Sequence, residues 1–234
     1  HVCAFSVFGK RENWPGRLLL FMAQYKEQGN AKYKAGKYEE AADAYGKAIE
    51  AEPNEATYYG NRAAALLMLK KYDEAHDDCK KAIELDPSFV KGYVRGAKCL
   101  SQRGMLREAR NMLASCLQID SSCAEVIKEI EALDQVEKDL TQAQEYLNKN
   151  DYDRAGYFVD RLVSQCPDFS ALYTMRADLL IGRKKYDDAA SICWALLSKD
   201  RQNPDLLFLR AKALLYGGST EQALKHYQEA LRVD

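Results

Sequence analysis

The chain repeats one pattern every 34 residues. An alanine recurs at successive intervals of 34, 34, 46, 34 and 34 residues, at Ala41, Ala75, Ala109, Ala155, Ala189 and Ala223. A second column of small residues follows the same intervals, at Gly29, Ala63, Ala97, Ala143, Ala177 and Ala211. Small side chains at fixed points let two helices approach closely, so the pattern predicts an all-α fold built from six packed helix pairs.

Prolines mark the limits of the repeats. Pro53, Pro87 and Pro167 occupy one repeat position, after the second helix, where proline stops a helix. Pro204 opens the sixth repeat, at a first-turn position that tolerates proline. The predicted repeats are 22–55, 56–89, 90–123, 136–169, 170–203 and 204–234.

The longer interval adds 12 residues to one repeat, and these residues are 124–135, "AEVIKEIEALDQ". Val126, Ile127, Ile130 and Leu133 have amphipathic helical spacing, so we expect a helix that continues into the fourth repeat. The predicted domains are a lead segment (1–21), a first module of three repeats (22–123), a helical joint or cap (124–135) and a second module of three repeats (136–234). Because no capping helix follows the sixth repeat, we expect the chain to continue past Asp234.

This pattern resembles the tetratricopeptide repeat, a helix-turn-helix unit of 34 residues. The resemblance covers residues 22–234. It implies a right-handed superhelix of antiparallel helix pairs, in which the first helix of each pair lines a concave groove. Such a fold serves as a binding surface, so the resemblance implies a binding protein rather than an enzyme.

Five polar side chains on the first helices of repeats one to three are predicted to face this groove. Lys91 and Arg95 are four residues apart in "VKGYVRGAK", which puts both cations on one helix face. Lys26, Asn30 and Asn61 belong on the same inner face of the two preceding first helices. Cations and amides donate hydrogen bonds and carboxylates accept them, so the set predicts a site for an external carboxylate.

The stretches "KEQGN", "YGNR" and "KGYVR" are similar to the dicarboxylate clamp of chaperone-binding tetratricopeptide domains. The resemblance implies that Lys26, Asn30, Asn61, Lys91 and Arg95 grip the last aspartate of a Glu-Glu-Val-Asp tail. That tail ends the cytosolic heat-shock proteins of the 70 and 90 kilodalton classes. The alternative is that these are solvated charges on an exposed helix face.

The second module differs at the matching positions, which hold Leu140, Gln144, Met175, Asp205 and Leu209. One of these is acidic and three are apolar, so no carboxylate clamp is predicted there. The second groove either binds something else or serves as a spacer that packs against neighbouring segments.

A clamp-bearing triplet, a helical joint and a clampless array resemble the DnaJ-domain-containing tetratricopeptide co-chaperones. None of the three histidines begins the His-Pro-Asp motif of a J domain, so J-type ATPase stimulation is not assigned to these residues. A Hop-type adaptor built from clamp modules is the competing co-chaperone interpretation. A general scaffold for an unrelated peptide or helix is the alternative function.

Composition narrows the function further. A net charge of -1 argues against general nucleic-acid binding, and no apolar run is long enough to span a bilayer. Seven cysteines without a C-x-x-C pair favour a reducing compartment, the cytoplasm or also the nucleus. Three histidines do not supply a convincing triad or metal cage, so we expect no catalytic residue, metal or cofactor. We also expect a monomer.

Overall fold

The structure, a computed structural model, describes residues 14–233, with side chains from residue 24 to residue 232. Over this range the chain forms twelve α-helices and no strand, which confirms the predicted all-α repeat fold. The helices are α1 Trp14–Lys34, α2 Tyr38–Ala51, α3 Ala56–Met68, α4 Tyr72–Leu85, α5 Val90–Gln102, α6 Leu106–Ile119, α7 Ala124–Asn148, α8 Tyr152–Gln165, α9 Ser170–Gly182, α10 Tyr186–Leu197, α11 Pro204–Tyr216 and α12 Thr220–Val233.

The first helix begins upstream of the first predicted repeat. Helix α1 begins at Trp14, whereas that repeat begins at residue 22, and the limit of the lead segment at residue 21 stays a prediction. Periodicity cannot locate this start, because the helix continues upstream of the first repeated column. The remainder of the predicted lead segment, including Cys3, lies outside the described residues.

The turn within each helix pair has the same backbone geometry. One residue in the left-handed region follows each odd-numbered helix from α1 to α11, at Gly36, Lys70, Gly104, Asn150, Lys184 and Gly218. These positions are separated by the intervals of the alanine column. The left-handed conformation favours glycine, and the three non-glycine residues adopt it at some conformational cost. The repeat is therefore a property of the backbone as well as of the side chains.

The described chain divides into two compact units, with the boundary between Cys99 and Leu100 inside α5. In the N-terminal compact unit, α1 packs on α2, α2 on α3 and α3 on α4. The small residues of the repeat fill these contacts, since Ala41, Ala63 and Ala75 are fully buried. The predicted division into modules at residues 123 and 136 stays a prediction.

The C-terminal compact unit contains α6 to α12. Each of these helices packs on the next helix along the chain. Its longest helix, α7, has 25 residues and covers both the segment 124–135 and the first helix of the fourth repeat. Val126, Leu133 and Val136 form its buried face, whereas Ile127 is 41% exposed. Asp139 is buried on the same helix, where it pairs with Arg161 of α8.

The six cysteines within the described residues are free, and five of them are buried. Burial raises the pKa of the Cys116 and Cys166 thiols, and it raises that of Cys193 to about 11. A thiol with a raised pKa carries little of the reactive thiolate at neutral pH. These residues therefore act as small core side chains.

Candidate carboxylate-binding site

Three helices of the N-terminal compact unit carry the five predicted site residues. Lys26 and Asn30 lie on α1, Asn61 on α3, and Lys91 and Arg95 on α5. Lys91 is exposed and the other four side chains are half-buried. A partly buried donor interacts more strongly with a ligand than one in open water, because the local dielectric is lower.

Three of the five residues line one cavity of about 170 Å³. We call this cavity the first groove, and its lining residues are Asn30, Tyr33, Lys34, Tyr45, Asn61, Ala64 and Arg95. Lys26 and Lys91 do not line it. The first groove thus brings together two amides and one guanidinium from the predicted set, with the two remaining lysines outside it on the same helices.

The Asn30 amide is oriented by a tyrosine of the neighbouring helix. The Tyr45 hydroxyl donates a hydrogen bond to Asn30 Oδ1 over 2.9 Å. Burial raises the pKa of the Tyr45 phenol, so the hydroxyl keeps the proton that it donates. With Oδ1 engaged, the amide NH₂ of Asn30 is directed to acceptors, and its present acceptor is Glu27 Oε1 at 3.5 Å.

Gly29 allows Tyr45 to reach this position. A Cβ atom at residue 29 would lie 2.5 Å from Tyr45 Cε1, which is closer than atoms approach in proteins. The glycine that the sequence pattern identified as a helix-packing residue therefore also positions the site. Tyr45 was missed by the sequence analysis because it lies on α2, a second helix, and only first helices were expected to line the groove.

Arg95 is held by the backbone of α3. Its Nη1 donates to the Gly60 carbonyl oxygen over 2.6 Å. A Cβ atom at residue 60 would lie 2.4 Å from Phe89 Cε1 and 3.5 Å from Arg95 Nη1, so glycine is required for this close approach. A guanidinium has five N–H donors, and this contact leaves most of them free for a ligand.

Within the described side chains, the cations of the predicted site have no carboxylate partner. Among the described side chains, no Asp or Glu forms an ion pair with Lys26, Lys91 or Arg95. Arg62 of the same unit is different, because its Nε and Nη2 contact both carboxylate oxygens of Asp78 at 2.7 and 2.6 Å. Arg62 is therefore neutralised by a carboxylate of its own unit, whereas the cations of the predicted site are not.

Two further groove residues were not predicted. Lys34 follows Asn30 by one helical turn and adds a cation to the lining. Tyr33 supplies an aromatic wall beside it. The turn-to-turn spacing from Asn30 is a signal that could have identified Lys34 from sequence.

In the second module, four of the five residues that match the predicted site positions line one groove. Gln144, Met175, Asp205 and Leu209 line a groove of about 760 Å³ in the C-terminal compact unit, which we call the second groove. Leu140 packs instead against the core cluster that contains Val136 and Leu162.

Within the described residues, no group of three His, Cys, Asp or Glu side chains could hold a metal ion. No helix in that part of the chain has the length and apolar character to cross a membrane.

Comparison with known proteins agrees with this architecture. A family model described as "Tetratricopeptide repeat" matches residues 26–88. The solved TPR domain of P58(IPK) has a TM-score of 0.62 with this chain at 18% identity, covering 93% of this chain and 62% of that one. The chain has the tetratricopeptide repeat fold, and residues 26–88 carry the sequence pattern of that repeat.

Within that class, the chain is similar to a DnaJ-type relative. Human DnaJ homolog subfamily C member 7 is 33% identical over 209 residues, which cover 89% of this chain and 42% of the human protein. Stress-induced-phosphoprotein 1 of Caenorhabditis elegans is 28% identical over 230 residues, covering 89% of this chain and 72% of that protein. The chain therefore spans about two-fifths of the length of the human relative, and the predicted resemblance to tetratricopeptide co-chaperones of the DnaJ type is confirmed.

Proposed function

We propose that the first groove binds the C-terminal Glu-Glu-Val-Asp tail of cytosolic heat-shock proteins of the 70 and 90 kilodalton classes. The chain would then act as a non-catalytic co-chaperone adaptor that links these chaperones for client folding. The observation that carries the proposal is the grouping of Asn30, Asn61 and Arg95 around one cavity, beside cations that no carboxylate of residues 24–232 pairs with. The proposed compartments are the cytoplasm and the nucleus.

The chemistry of the proposed ligand fits these side chains. A C-terminal aspartate carries two carboxylates, which together accept several hydrogen bonds. In the proposal, the amides of Asn30 and Asn61 and the guanidinium of Arg95 donate to these carboxylates in the cavity. Lys26 and Lys91 are long, flexible cations at its margin, where they would neutralise the charge of the tail. Charge-assisted hydrogen bonds of this kind are roughly twice as strong as neutral ones.

In the absence of a ligand, the Glu27 carboxylate occupies the hydrogen-bond donor of Asn30 that the proposed ligand would use. That carboxylate lies 3.5 Å from the Asn30 amide nitrogen, a long contact for a hydrogen bond. An incoming carboxylate with better geometry would replace it. Removing this competing acid, as in Glu27→Gln, is therefore expected to strengthen tail binding slightly.

The free C-terminal carboxylate is the feature to test. Calorimetric titration of the full chain with a free-acid peptide ending in Glu-Glu-Val-Asp should give an affinity of about 1 μM, or roughly 8 kcal/mol. The same peptide with an amidated C-terminus should bind at least about tenfold more weakly, because a buried charge-assisted contact is lost. Equal affinities for the two peptides would contradict the proposal and favour a general scaffold.

A matched control separates the site from general charge attraction. Lys47 is an exposed cation of α2 that does not line the first groove. Lys47→Ala removes the same charge as Lys91→Ala from the same compact unit. We expect Lys47→Ala to leave tail affinity within about twofold of the unmodified chain, since isolated surface charges contribute little.

A further inference from the structure

We propose that the second groove binds an internal peptide segment in which a lysine or arginine side chain is flanked by apolar residues. This inference concerns the C-terminal compact unit and goes beyond the proposed capture of chaperone tails. It is carried by the charge, the aromatic content and the size of the second groove.

The charge at one equivalent helix position is inverted between the two compact units. Lys91 is the second residue of α5, and Asp205 is the second residue of α11. Both side chains are exposed, and Asp205 lines the second groove. Among the described side chains, no cation pairs with Asp205. At this helix position the N-terminal compact unit has a cation outside the first groove, whereas the second groove has an anion in its lining.

The other charges of the second groove do not cancel this one. Lys212 Nζ lies 3.2 Å from Asp178 Oδ1, so these two groups neutralise each other. Lys184 is in the turn after α9, and Asp205 is in the first turn of α11. Consecutive helices in the pairs are antiparallel, so α9 and α11 run in one direction and Lys184 lies at the far end of the groove. A helix of 13 residues separates those ends by about 20 Å.

Aromatic side chains extend the cation site along α11. Phe208 and Tyr216 line the groove and are 54% and 57% exposed. Phe208 follows Asp205 by three residues, which places both on one helix face. A cation is attracted both to a carboxylate and to the face of an aromatic ring. Asp205 and Phe208 together therefore suit a lysine or arginine side chain, whereas a chaperone tail would meet like charge.

The remaining lining suits apolar side chains and a peptide backbone. Met175 and Leu209 supply apolar surface, and the groove volume of about 760 Å³ can accept several side chains. The Gln144 amide donates to Asn148 Oδ1 over 3.0 Å, which leaves its own oxygen available to a backbone N–H. Of the two lysines in the lining, Lys212 pairs with Asp178 and Lys184 lies at the far end from Asp205, so no group of unpaired cations favours a chain end as the ligand.

Three pools of short peptides, acetylated and amidated, test the inference on the full chain. Each pool has random Leu, Phe, Val and Ser positions around a fixed central residue, which is Lys, Gln or Glu. We expect the Lys pool to be retained about tenfold more than the Glu pool, as charge complementarity at a groove allows. In Asp205→Lys the preference should reverse, a gain for the Glu pool that unfolding cannot produce.

Two control variants make the result specific. Asp187→Lys makes the same charge change at the second position of α10, and Asp187 does not line the second groove. It should leave the preference for the Lys pool unchanged. Arg95→Ala, which disables the proposed tail site, should also leave it unchanged, so the failure of either proposal can be distinguished. Equal retention of all pools, no retention of any pool, or an unaltered preference in Asp205→Lys would overturn the inference.

Discussion

The two grooves share a backbone and differ in their side chains. Each lies on the first helices of neighbouring repeats, and the turns of both compact units place a left-handed residue at the same repeat position. The first groove has Asn61 and Arg95 where the second has Met175 and Leu209, and Asp205 of the second groove matches Lys91, which lies outside the first. The comparison shows that the repeat determines where side chains meet, whereas a few positions give the two grooves different chemistry.

The grooves also differ in how closely their walls approach. Gly29 and Gly60 bring Tyr45, Phe89 and Arg95 against the helices of the first groove. The resulting cavity has a volume of about 170 Å³, whereas that of the second groove is about 760 Å³. The first groove is therefore the narrower of the two, which agrees with the proposal that it holds one acidic side chain.

Substitution of Gly60 should have the largest effect on stability, and substitution of Gly46 serves as its control. In Gly60→Ala the new Cβ would collide with Phe89, and we expect a loss of about 1–3 kcal/mol in the free energy of unfolding. In Gly46→Ala the nearest atom is Arg62 Nη1 at 3.8 Å, so helix propensity should add about 0.5–1 kcal/mol instead. Urea denaturation measures both changes, and equal effects would show that residue 60 is not a tight contact.

Removal of the Tyr45 hydroxyl should lower the affinity of the first groove for the chaperone tail, with little effect on the fold. Tyr45→Phe removes the hydrogen bond to Asn30 and should lower tail affinity by about 1 kcal/mol. Tyr59→Phe removes a comparable bond, to the Pro53 carbonyl oxygen at 3.0 Å, on a residue that does not line the groove. Calorimetry should show unchanged tail affinity for Tyr59→Phe. A similar loss in both variants would mean that Tyr45 does not act through Asn30.

The smallest expected effect is on stability, when the left-handed turn residues of the two compact units are replaced by glycine. Lys70 and Lys184 occupy equivalent left-handed turns at φ 60°. Glycine adopts this conformation without strain but has greater freedom when unfolded, so Lys70→Gly and Lys184→Gly should each stabilise by up to about 1 kcal/mol. Lys81→Gly, at an exposed position inside α4, should destabilise instead, because glycine is unfavourable in a helix interior. Opposite signs for Lys70→Gly and Lys184→Gly in thermal unfolding would break the equivalence of the two turns.

The sequence predicted the repeat and much of the first groove. The columns of alanine and glycine locate helix contacts because close packing leaves room only for small residues. Asn30, Asn61 and Arg95 were predicted from their positions on the first helices, and the structure places them around one cavity. Whether that cavity holds a carboxylate stays a prediction, as do the limits of the modules.

Other features could not be read from the repeat. Tyr45 enters the first groove from a second helix because Gly29 leaves space for its ring, and such a contact depends on tertiary packing. Lys26 and Lys91 do not line the cavity, since long side chains on the right helix face can still extend past it. The start of α1 at Trp14 precedes the repeated columns and had no periodic signal.

A chaperone tail is proposed to enter the first groove and not the second. The most direct test of this proposal is calorimetric titration of the full chain with the free-acid Glu-Glu-Val-Asp peptide, comparing Lys91→Ala and Arg95→Ala with Asp205→Ala. Lys91 and Asp205 are equivalent, exposed positions, so neither truncation should disturb the fold. We predict a loss of about 2–5 kcal/mol for Arg95→Ala, a smaller loss for Lys91→Ala, and no loss for Asp205→Ala. Full affinity in Arg95→Ala, or a loss in Asp205→Ala, would contradict the account.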